Sequence, residues 1–93
     1  MAREINFGGR SVHLFVGENR AMLITQETSL PVILADTINE VQDVTVTEVS
    51  IMDNRKYTIR MVHDLPKGEL LNIVCEAISR VYCCDTSVFY ARP

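Results

Sequence analysis

VTVTEVSIMDNRKYTIRMVHDLP, residues 44–66, decides the architecture of this chain. Its second half, Tyr57 to His63, sets Tyr57, Ile59 and Met61 on one side of an extended segment and Thr58 and Arg60 on the other, because side chains alternate along a strand. One side suits a core and the other suits water. The first half carries a flaw: Val44 and Val46 share one phase, while Val49 and Ile51 stand in the opposite one. A strand that changes phase needs an extra residue, so a bulge is expected near Thr47 and Glu48. Asp53, Asn54 and Arg55 supply turn chemistry between the halves, and the whole reads as an antiparallel hairpin.

Toward the C-terminus, Asp64 reads as the cap of a helix with Pro66 in its first turn, where a missing N–H costs nothing. Leu70, Val74, Ala77, Ile78 and Val81 recur at helical spacing, and Leu71, Ile73 and Tyr82 widen that stripe to about 200°. Docking on one sheet requires roughly half of that. Leu71, Ile73 and Tyr82 are therefore candidate interface residues. Glu69, Asn72, Glu76, Ser79 and Arg80 form the narrow polar face, with Glu76 and Arg80 spaced for an ion pair. SVFYA, residues 87–91, reads as a final strand.

Toward the N-terminus, Ser29 and Pro31 open a shorter helix with Leu30, Leu34, Ile38 and Val41 on its apolar stripe, flanked by Ile33 and Ala35. Val32 falls opposite that stripe beside Pro31, which makes the pair a second candidate contact. Before this helix lie three strands. Ile5 and Phe7 read as a short edge strand, and Gly8–Gly9 as a tight hairpin turn. Residues 11–16 and 21–25 are apolar on both faces, the mark of inner strands.

The resulting order is βββαββαβ, an α+β fold with an antiparallel sheet carrying two helices on one face. The last six elements match the split βαβ order of ferredoxin-like folds, with an extra N-terminal hairpin strand. That hairpin competes for the edge where the final strand would add. The 93 residues make one domain, divided into N-terminal strands (1–26) and a helix-strand-strand-helix-strand unit (27–93). YTIRMVHDLPKGELLNIVCEAISRV, residues 57–81, resembles the strand, DxPG turn and helix of ACT domains, which are also βαββαβ and bind small molecules. Here Lys67 separates the Pro from the Gly, and the segment comes last rather than first.

A net charge of -3 with scattered basic residues argues against a protein that grips a polyanion. Arg10, Arg20, Arg55, Lys56 and Arg60 are candidate contacts for a small anionic ligand. The start MAREINFGG lacks the apolar run of a signal peptide, and three cysteines without framework spacing fit a reducing compartment, so the cytoplasm is the expected location.

Chemistry finds little to work with. Cys75 and Cys83 stand about 12 Å apart along one helix, beyond disulfide reach. Cys83 and Cys84 are adjacent, and a metal site would have to add His13 and His63 from separate strands. Packing at a helix end explains the cysteines better than reactivity does. The expectation is therefore no catalytic residue, no metal and no cofactor. Strands offering bases an aromatic platform beside basic residues are missing too. The function expected is a small non-enzymatic binding or regulatory protein, acting through protein–protein contact as a homo-oligomer. Inhibitors and adaptors encoded by viruses or mobile elements offer an analogy of size. An alternative is a nucleotide or metabolite held between protomers; a third is a small enzyme using Cys84, His63 and Asp64.

Overall fold

The computed structural model describes residues 2–8, 10–26, 31–52, 56–84 and 86–90. Strands β1 (Ala2–Phe7), β2 (Arg10–Val16) and β3 (Arg20–Gln26) precede helix α1 (Pro31–Asn39). Strands β4 (Val44–Met52) and β5 (Lys56–His63), helix α2 (Lys67–Tyr82) and strand β6 (Thr86–Tyr90) follow. The strands form one sheet in the order β4-β5-β3-β2-β1-β6, every pairing antiparallel.

Cross-strand pairs share a face, so the register shows where the core lies. One face carries Ile5 and Phe7 of β1, Val12, Leu14 and Val16 of β2, Ala21 and Leu23 of β3, Val44 of β4, and Ile59 and Met61 of β5, all buried. Leu34, Ala35 and Ile38 of α1 and Leu70, Val74, Ala77 and Ile78 of α2 complete the same cluster. Both helices therefore cover one face, and they also pack on each other.

The strand order corrects the ferredoxin-like expectation. Segment β4-β5-β3 keeps that arrangement, but β6 does not lie next to β3. The β1–β2 hairpin stands between them, and β6 pairs with β1. The reason is edge competition: β2 pairs with β3 through a tight turn closed by Gly17 N–H to the Arg20 carbonyl at 2.7 Å, a local contact that costs little loop entropy. Consequently β1 is an inner strand rather than the edge strand expected. Two inserted strands also preserve the alternation of direction, so β6 still arrives antiparallel.

Local details agree with the chain's chemistry in most places. Gly8 takes φ +50° in the β1–β2 turn, a conformation open to glycine without steric cost. The β4–β5 register slips between Val46 and Glu48, which is the expected bulge. Glu76 and Arg80 pair at 3.2 Å on the wet side of α2. The expected caps do not all hold. Pro66, rather than Asp64, stands at the N-cap of α2, and no side chain caps that end. Ser29, Leu30 and the Asp53–Asn54–Arg55 turn lie outside the described residues.

Candidate interaction surface

The face of the sheet away from the helices is built by the alternate residues. One row runs Ser50, Thr58, Ile24, His13, Glu4; the next runs Glu48, Arg60, Met22, Phe15, Ala2; Val62 and Arg20 pair just beyond. Among the described residues no helix packs on this face. Phe15 is 40% exposed and Val62 41%, with half-buried Met22 and Ile24 between them. Thr58 is closed over, and its hydroxyl has no partner. The result is an apolar centre of Phe15, Met22, Ile24 and Val62, edged by Glu4, His13, Arg20, Glu48 and Arg60. Arg60 and Glu48 pair at 3.8 Å with both side chains more than half exposed, where such a pair contributes little to stability.

A second apolar strip lies along β4. After the bulge Val49 and Ile51 point to the helix side, paired with Ile59 and Tyr57. The helices do not cover them. Val49 is 38% and Ile51 74% exposed. Asn39, the last residue of α1, accepts the Val46 N–H at 2.9 Å, so the C-terminal end of the helix lies against the first half of β4. The first turn of α1 carries Val32, 60% exposed, and Ile33, 51% exposed.

The residues singled out from sequence are distributed differently. Val32 is on the surface, as its position opposite the stripe implied, and Ile33, expected to flank the core, joins it there. The Pro31 side chain and Arg55 lie outside the described residues. Leu71, Ile73 and Tyr82 are half-buried; Leu71 and Tyr82 pack against the core, and Tyr82 stacks at a tilt on Phe7 with centroids 4.8 Å apart. The breadth of the α2 stripe is used inside the fold, between β1, β6 and α1. Arg20, Lys56 and Arg60 share the open face, whereas Arg10 starts β2 in the helix-side phase; they do not converge on one point. Sequence reasoning passed over Phe15, Met22, Ile24, Val62, Val49 and Ile51. The signals were present: two strands apolar on both faces, and a valine and an isoleucine beyond a bulge.

His63, Cys75 and Cys84 are held within the fold. His63 is 5% exposed. Its Nδ1 accepts the Leu65 N–H at 3.2 Å, and its Nε2, 3.1 Å from the Gly17 carbonyl, is placed to donate to it. These two backbone contacts tie the β2–β3 turn to the entrance of α2. Cys75 is half-buried, and burial pushes its thiol above the ordinary 9.0, against a weaker opposing hydrogen bond with Thr86. Cys84 packs against the core, whereas Cys83 is exposed and closes α2 in a left-handed conformation at φ 52°. Among the described residues no three His, Cys, Asp or Glu side chains gather as a metal site would require. No helix there is long and apolar enough to cross a membrane.

No family model, no curated protein and no solved structure matches this chain.

Proposed function

We propose that this chain is a non-enzymatic binding protein that holds a protein partner on the open face of its sheet and works as a homo-oligomer. The observation that carries the reading is the exposure of Phe15 and Val62 beside Met22 and Ile24 on a face that no described helix covers. An apolar centre with an aromatic residue, ringed by mixed charges, has the anatomy of a protein interface. Both inner strands are held on both sides by hydrogen-bonded neighbours, so the surface is preorganised and a partner need not order it. The mixed rim of Glu4, Glu48, Arg20 and Arg60 suits a protein of mixed charge better than a polyanion.

The test compares wild type with the Phe15→Lys/Val62→Lys double variant as bait in extracts of the native cell. Both positions are substantially exposed, so the variant should melt near the wild-type temperature. A protein held by wild type and lost by the folded variant supports the reading. Identical captured sets from both would contradict it.

A further inference from the structure

We propose that a second copy of this chain extends the sheet at the open half of β4, strand against antiparallel strand, on a two-fold axis through Ser50. The proposal rests on the self-association in the reading above and is independent of the open face.

The hydrogen bonds of β5 set the backbone directions. His63 N–H donates to the Asn19 carbonyl at 3.0 Å, toward β3. Alternation along β5 therefore aims Val62, Arg60, Thr58 and Lys56 at β4, and their partners Thr45, Glu48, Ser50 and Met52 return those bonds. That leaves Val44, Val46, Val49 and Ile51 facing outward from the sheet. The first two have their N–H groups engaged: Val44 donates to the Val41 carbonyl at 3.3 Å and Val46 to the Asn39 side chain at 2.9 Å. Among the described residues, Val49 and Ile51 have no backbone partner on that side.

These two open residues are separated by one position, and that spacing is self-complementary. With the axis through Ser50, Val49 stands opposite Ile51 of the second copy, and Ile51 opposite its Val49. Each pairing joins two outward-facing residues, so each exchanges both N–H···O=C bonds. The registers centred on Val49 or Ile51 use only part of these groups. The centred pairing also sets Glu48 opposite Met52 of the second copy, so no like charges face each other. On the helix side it brings Val49 and Ile51 against their counterparts and covers these exposed side chains. A short apolar strip and one strand pairing make a small interface, so a reversible dimer is expected.

Crosslinking and sedimentation test this together. Ser50 would face its counterpart in a non-hydrogen-bonded pair with Cα atoms about 4.5 Å apart, within disulfide range. In a Cys83→Gly background, which removes the exposed thiol, Ser50→Cys should form a covalent dimer on mild oxidation at least about tenfold faster than Thr45→Cys in the sealed half of the same strand. Ile51→Pro deletes an outward N–H at an edge position that tolerates proline, and should weaken dimerisation at least about tenfold with the fold intact. Should that variant fail to fold, Ile51→Lys asks the same question through edge charge. Wild type that sediments as a monomer from about 1 µM to about 1 mM would overturn the proposal. So would equal crosslinking of Ser50→Cys and Thr45→Cys, or open-ended polymers that implicate the β6 edge. A strictly monomeric wild type would remove the homo-oligomer reading together with the edge inference and leave partner binding on the open face standing, whereas a dimer whose Ser50→Cys and Thr45→Cys forms crosslink equally would remove the edge inference alone.

Discussion

The two halves of β4 show what makes a sheet edge available. Val44 and Val46 at one end and Val49 and Ile51 at the other are all apolar, all outward-facing in backbone and all in the helix-side phase. At the first end the N–H groups are engaged by Val41 and Asn39, and the Val44 side chain is buried beside buried His63. At the second end the N–H groups lack described partners and the side chains meet solvent. Apolar content alone does not separate the halves. Hydrogen-bond satisfaction and helix cover do, and the bulge at Thr47 marks the boundary.

The largest effect should come from removing the cover over the sealed half. Ile38→Ala deletes a fully buried side chain in the last turn of α1, next to Asn39, and should cost about 2–5 kcal/mol in a denaturant melt. A loss below about 1 kcal/mol would mean that α1 does not close that end. His63→Ala deletes a buried ring and leaves the Leu65 N–H and the Gly17 carbonyl without these part-buried bonds, and should cost about 1–3 kcal/mol. Asn39→Ala should cost about 1 kcal/mol and raise exchange of the Val46 amide, leaving that of Val49 unchanged. At the open half, Ile51→Thr should alter the stability of the dilute protein by no more than about 0.5 kcal/mol, since the side chain is already in water.

A test of the helix end and the thiols lies outside the edge. Cys83 takes φ 52°, so Cys83→Gly should stabilise the fold by about 1 kcal/mol. Cys75 has a folded-state pKa above 9.0. Its contribution is therefore complete below that pH and is lost as pH rises through the higher folded value. Cys75 should also be alkylated more slowly than Cys83 in the native protein, a ratio that mass spectrometry can follow.

Much of the fold was legible in residues 44–66. The alternation of Tyr57, Ile59 and Met61 and the phase change from Val46 to Val49 gave the hairpin and its bulge, because those signals are local. The place of β6 was not legible, since it depends on the β1–β2 hairpin taking the edge beside β3 first. The α2 cap was misread because Asp64 has the right chemistry but the helix begins only after Pro66. The surface was misjudged for a related reason. The breadth of the α2 stripe was visible, yet whether Leu71 and Tyr82 meet solvent depends on Phe7 and the rest of the core. The exposure of Val49 and Ile51 depends on where a nine-residue helix stops covering a nine-residue strand.

The central claim is that the second half of β4 is an open, self-complementary edge. Residue-resolved amide exchange across a dilution series tests it most directly. The account predicts that the Val46 amide is protected at every concentration, while the Val49 and Ile51 amides exchange freely in dilute protein and become protected together as the protein is concentrated. Protection of Val49 and Ile51 that equals that of Val46 at high dilution, or that never appears on concentration, would contradict it.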